Sequence, residues 1–231
     1  MRWLVRRRLK NSSDYTRKSA IRKLEKYGRS ETALIAAMLS DPANEVRSAA
    51  CEVLGRLKDP GAIERLGDLM LGRFGDGNSG EPYFARRSAA DALGEIADQR
   101  SIPLLIQALG DRDEPMLRAD AAFSLGHLRA SAAVESLIDQ LSNSMNHAAV
   151  HEKAALALAE IGGERANAFV LKIFDGHLVY NNDRPNLALA IWAEAAKGYS
   201  VDAQILAATK TLAEDERVRQ KLGHFRNIII T

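Results

Sequence analysis

His151 and Glu152, in the stretch AVHEKAALALAEIGG, are the adjacent residues of this sequence that most resemble half of a metal site. Together they offer an imidazole and a carboxylate. A zincin pair needs a second histidine four residues on, and that position is Ala155. His147 stands four residues before His151, but Asn146 to Ala149 is expected to span a helix start, so the two would not share a face. His127, His177 and His224 show no ligand spacing with the others. The pair therefore reads as polar residues at the solvent-facing start of a helix, with Glu152 in the first turn where a negative charge suits the helix dipole. No metal and no cofactor is expected.

Other chemistry is equally sparse. There is no Gly-x-Ser-x-Gly, no Cys–His arrangement and no carboxylate pair that stands out. GRFGDGNSGEP, Gly72 to Pro82, is rich in glycine but lacks the Gly-Lys-Ser/Thr ending and the preceding strand of a phosphate loop. It reads as a loop between elements, with partner contact as its functional alternative, and DGHLVYNNDRPN with Tyr180 reads the same way. Cys51 is the single cysteine, which excludes an internal disulfide, and its apolar neighbours make it a small buried hydrophobe. No apolar run reaches the roughly 18 residues that a membrane span needs. MRWLVRRRLK is too charged for a signal peptide, so a cytoplasmic chain is expected.

The elements that must position these residues form a repeat. VRSAACEVLGRL, ARRSAADALGEI, LRADAAFSLGHL and VHEKAALALAEI share one frame, and TRKSAIRKLEKY and RPNLALAIWAEA are fainter copies. The anchors Leu24, Leu54, Leu93, Leu125, Leu158 and Trp192 are separated by 30, 39, 32, 33 and 34 residues. Within a copy the small pair and the Leu lie on one helix face, and a second helical pattern follows a short turn. Neither helix can bury its apolar face alone. The fold class that follows is all-α, an α-solenoid of stacked antiparallel helix pairs with about six to seven units.

One array is expected over 1–231. It would comprise a half unit 1–10, repeats near 14–40, 44–72, 82–110, 115–143, 148–175 and 184–212, and a partial unit 213–231. LVRRRLKNSSDYTR aligns with LIAAMLSDPANEVR, so the chain is expected to open in the second helix of a unit. Such an end would be either a degenerate cap or the edge of a longer parent.

LSDPANEVRSAACEVLGRL and its copies resemble HEAT repeats, in particular the short repeats of phycobilisome bilin lyases. The resemblance implies an Asp after the second helix aligned with an Arg opening the next copy. Asp41/Arg47 and Asp111/Arg118 match, Arg86 matches alone, and later copies lose both. It implies fold far more than function. Deoxyhypusine hydroxylase is a HEAT-like protein that resemblance would credit with two irons held by His-Glu dipeptides at repeat starts. His151-Glu152 falls at that frame position, but the equivalents are Arg47-Ser48, Arg86-Arg87 and Arg118-Ala119, whose guanidinium groups would repel a metal.

Charge is the stronger irregularity. Residues 1–29 hold eleven Lys and Arg against Asp14 and Glu25, a net of +9, which leaves the rest of the chain at −7 within an overall +2. The function this supports is a non-enzymatic scaffold that binds another protein, one with an acidic patch, through a concave surface of second helices and a basic end. Candidate contacts are Arg2, Arg6, Arg7, Arg8 and Lys10 at the end, and Gln107, Asp139 and Lys172 on the ridge, with Glu135 and Asp202 nearby. Two alternatives stand beside it. One is nucleic acid bound through residues 1–29. The other, from resemblance, is a bilin lyase-like protein using Arg73, Phe74, Tyr83, Phe84, Arg86 and Arg87.

Overall fold

The computed structural model describes residues 2–74, 83–143, 145–174, 191, 201 and 203–214. Among these there is helix and no strand. After α1 (Arg2–Arg8) the chain runs as five successive helix pairs. They are α2 (Asp14–Leu24) with α3 (Thr32–Ala37), α4 (Asn44–Leu57) with α5 (Ile63–Met70), and α6 (Tyr83–Ile96) with α7 (Ile102–Ala108). α8 (Pro115–His127) with α9 (Val134–Ser142) and α10 (Ala148–Ile161) with α11 (Glu164–Phe174) complete them, and α12 (Ala203–Glu214) packs on α11. The insertion 75–82, the Asp175–Asn186 segment, Trp192, Asp202 and the C-terminal run after Glu214 lie outside the described residues.

First helices stack on first helices in series, α2 on α4, α4 on α6, α6 on α8 and α8 on α10. The frame residues explain how. The anchors Leu24, Leu54, Leu93, Leu125 and Leu158 are all fully buried. The glycine after the anchor permits the approach: a Cβ on Gly126 would lie 2.8 Å from Ala157 Cα, and one on Gly94 would lie 2.8 Å from Ser124 Cβ. Small side chains thus set the inter-repeat distance, and the Leu fills the layer beneath. Cys51 is fully buried in this seam, its Sγ 3.8 Å from Ala85 O, and burial pushes its thiol pKa far up, so it packs as a hydrophobe.

Turns within pairs are equally regular. Lys58, Ala97 and Arg129, just past α4, α6 and α8, are left-handed with φ of 50°, 59° and 48°. Each turns the chain toward a second helix, as a glycine commonly does. Asp59 and Asp98 then accept from the backbone N–H two residues on, at 3.0 Å each, starting the second helices.

Candidate functional site

Residues between the repeats form an alternating ladder of arginine and aspartate. Arg17 Nε and Nη2 donate to Asp41 Oδ2 and Oδ1 at 2.7 Å each, a bidentate pair buried on both sides. Asp41 Oδ1 also accepts from Ala43 N at 2.9 Å, and its backbone carbonyl accepts from Arg47 Nη1 at 2.7 Å. The same arrangement recurs two units on, where Arg86 Nη2 donates to Asp111 Oδ2 and Arg118 Nη1 donates to Asp111 O. Each aspartate therefore holds the arginine of its own unit through its side chain and that of the next unit through its backbone.

Two expectations change here. Arg86 lacks the preceding unit's Asp, as the motif reads, but it gains a side-chain partner in Asp111, which follows its own second helix. Arg17, counted within the basic end, is a rung of the ladder with 9% exposure. Its signal was legible, since Arg17 lies 30 residues before Arg47 in the same frame.

His151 occupies the arginine position of its repeat. It is buried at 4% exposure, not solvent-facing, and its Nε2 lies 3.0 Å from Asn143 O, as the arginines reach loop carbonyls elsewhere. Asn146, accepting from Arg118 Nη2 at 3.1 Å, stands where an aspartate would. His147 caps α10 through Nδ1, which accepts from Ala149 N at 3.2 Å. Among the described residues, no group of three or more His, Cys, Asp or Glu is placed to hold a metal ion. The frame positions that resemblance would give to metal donors hold Arg17, Arg47, Arg86 and Arg118, each engaged by a carbonyl or carboxylate. That donor set does not fit a di-iron centre.

Buried carboxylates are the feature that the repeat frame did not disclose. Glu31 is fully buried and receives both Arg2 and Arg6; Arg6 Nε donates to Oε2 at 3.0 Å and Nη2 to Oε1 at 2.7 Å. The Arg6 hydrogen bond holds the Glu31 carboxyl below the usual range against the opposing effect of burial, with Arg2 adding to it. Glu114 is 5% exposed, and its Oε2 lies 3.8 Å from Arg86 Nη1. Burial pushes Glu114 up to about 7, with Asp111 and Asp120 adding to the rise while Arg86 and Arg87 oppose it.

The candidate contact residues divide into two groups. Gln107, Asp139 and Lys172 are exposed on α7, α9 and α11, one on each successive second helix. Exposed ion pairs brace this face, Arg165 Nε to Glu135 Oε1 at 2.8 Å and Arg73 Nη1 to Asp68 Oδ1 at 3.0 Å, and Arg73 Nη2 also reaches Gln107 Oε1 at 3.4 Å. At the basic end, Arg2 and Arg6 are bound to Glu31, whereas Arg7, Arg8 and Lys10 are exposed and form no ion pair among the described residues. Of the residues named for a bilin, Arg73, Arg86 and Arg87 are each paired with an aspartate, Arg65 lies over the Phe74 ring, Phe84 is exposed, and the Tyr83 side chain lies outside the described residues.

Comparison with known proteins follows this architecture. The family model for HEAT repeats matches residues 2–74 and 78–144, more than half of the chain. Deoxyhypusine hydroxylase-B of Oryza sativa subsp. japonica is 30% identical over 108 residues, 47% of this chain and 33% of that protein. The aligned part thus spans a third of that relative. Among solved structures, an engineered protein from the Northeast Structural Genomics Consortium has a TM-score of 0.51 at 18% identity, covering 85% of this chain and 97% of its own. Human deoxyhypusine hydroxylase in complex with glycerol has a TM-score of 0.40 at 17% identity, covering 86% and 84%.

Proposed function

Since the chain belongs to the HEAT-repeat family, we propose that it is a non-enzymatic scaffold that binds a partner protein along its second-helix face and at its basic N-terminal end. The observation that carries this reading is the division of labour among side chains. The ladder residues Arg17, Asp41, Arg47, Arg86, Asp111 and Arg118 are spent on joining repeats, while Gln107, Asp139 and Lys172 are exposed on successive second helices. In a helix-pair array such a row is the concave face, and charge of both signs suits a polar partner surface. Arg7, Arg8 and Lys10 would add orientation and association rate toward an acidic patch.

We read the likeness to deoxyhypusine hydroxylase as one of fold, because the repeat starts at Arg17, Arg47, Arg86 and Arg118 carry arginines joined to backbone carbonyls and, among the described ones, only His151 offers an imidazole. A bilin lyase-like role draws no support from Arg73, Arg86 and Arg87, whose charge is already met by aspartates. Nucleic acid remains the competing reading for the basic end, with steep salt dependence and no protein partner as its signature.

The test is reversal of charge on the ridge, Asp139→Lys with Lys172→Glu, compared with Arg7→Glu with Arg8→Glu. Affinity capture from the native cells is expected to recover one protein, lost or reduced about tenfold with either pair of changes. Recovery of nucleic acid instead, or a protein insensitive to both pairs, overturns the reading.

A further inference from the structure

The outer face of α1 carries an unusual combination. Helix geometry puts Trp3, Leu4, Arg7 and Arg8 together on the side away from Glu31, toward which Arg2 and Arg6 turn. Trp3 is 66% exposed and Leu4 53%. Of the large apolar side chains exposed among the described residues, Trp3, Leu4, Tyr15 and Leu34 lie in α1 to α3, against Phe84 and Met145 in all the rest. Exposed apolar surface is thus concentrated where the unpaired cations are.

The charge at this end survives the internal pairing. Arg2 and Arg6 share one carboxylate, so that cluster keeps a net positive charge. Arg7, Arg8 and Lys10 add three cations with no ion pair among the described residues, and Arg7 lies over the Trp3 ring at 5.7 Å from its centroid. Their place in the last turn of α1 and just beyond it also suits the negative end of the helix dipole.

We infer that the outer face of α1 docks an acidic peptide segment of the partner, one that carries an aromatic or aliphatic side chain within about one helical turn of its carboxylates. The apolar side chain seats against Trp3 and Leu4, and the carboxylates pair with Arg7, Arg8 and Lys10. Trp and Arg are the residue types that concentrate energy at protein interfaces. A peptide fits better than a lipid surface, since interfacial helices bury a long apolar face and α1 offers one Trp and one Leu over seven residues. The inference rests on the reading of the chain as a binding module and names the chemistry of one of its contacts.

An unbiased peptide-display selection on the full chain tests it. Competitor arms contain vesicles of phosphatidylserine and phosphatidylcholine, or single-stranded oligonucleotide. The expected enrichment is for peptides with several Asp or Glu beside an aromatic or aliphatic residue. Their affinity should fall about tenfold or more with Arg7→Glu/Arg8→Glu and with Trp3→Ala, and hold with Asp139→Lys/Lys172→Glu. These are exposed positions, and circular dichroism of each variant checks that the fold is kept. Peptides that lack acidic residues, or that respond to the Asp139/Lys172 changes alone, overturn this inference and leave the binding-module reading standing. Vesicles or oligonucleotide that bind through Arg7 and Arg8 and displace the peptides overturn it in favour of that occupant. A selection that enriches nothing overturns it and counts against the binding-module reading too.

Discussion

Buried charge is what distinguishes the individual residues of this chain. The Arg17–Asp41 pair is enclosed, with side chains 11% and 5% exposed, whereas Arg22 and Glu52 remain 52% and 44% exposed. Asp41→Ala strands a buried guanidinium and should cost about 3–5 kcal/mol in urea unfolding. Glu52→Ala, which opens a solvated pair, should stay within about 1 kcal/mol. Equal effects from the two would show that the ladder does not hold the repeats together. Glu114 behaves oppositely to the paired acids. Its carboxyl, raised to about 7, binds a proton more tightly in the folded state. The stability it adds is therefore present below the unfolded value of about 4.3 and lost as the pH rises through about 7. Glu114→Gln should remove that part of the loss, flattening thermal stability between about pH 5 and pH 8. An unchanged profile would refute it. Glu31, whose pKa is lowered, contributes with the other sign, losing its effect as the pH falls through its folded value. The ladder positions could be aligned in the sequence, but the two buried glutamates could not be read from residue types alone. Glu31 and Glu114 fall outside the repeat's conserved-looking frame, and their burial depends on arginines 25 to 29 residues away in sequence.

At the scale of helices the sequence was far more transparent. The Leu-Gly step of the frame is a packing instruction, since the missing Cβ is the space that the next first helix occupies. Gly→Ala inside a helix ordinarily stabilises by about 1 kcal/mol. Gly126→Ala should reverse that sign and cost about 1–3 kcal/mol, because its Cβ would meet Ala157 Cα at 2.8 Å. A neutral or stabilising result would mean that the first helices are less closely packed than described. The complementary change is Ala97→Gly, at φ 59°, which should stabilise by about 1 kcal/mol in thermal unfolding by relieving a left-handed alanine. The periodicity could place the helices but not these turn conformations, because Lys58, Ala97 and Arg129 carry no local mark of a left-handed residue. It aligned His151 with Arg47, Arg86 and Arg118, but it did not show that the imidazole is buried and reaches a loop carbonyl as Arg47 does.

For the whole molecule, the described helix pairs form an array whose interior joins repeat to repeat, and the proposed function assigns its two outward features, the second-helix row and the α1 end, to a partner. The net charge of +9 over residues 1–29 signalled the second feature in bulk. It overstated the free charge, since Arg2, Arg6, Arg17 and Arg22 are paired with carboxylates of the array. Pairing of that kind joins positions far apart in sequence and cannot be read from a local charge count. Site-specific photocrosslinking in the native cells would show directly whether these two surfaces meet one partner. A photoreactive residue would replace Gln107, Asp139, Lys172 or Arg7 in turn, with Glu45 on the first-helix side as the control. One and the same protein is expected to crosslink from the four positions and none from Glu45. Crosslinks confined to Glu45, or nucleic acid in place of protein at Arg7, would contradict it.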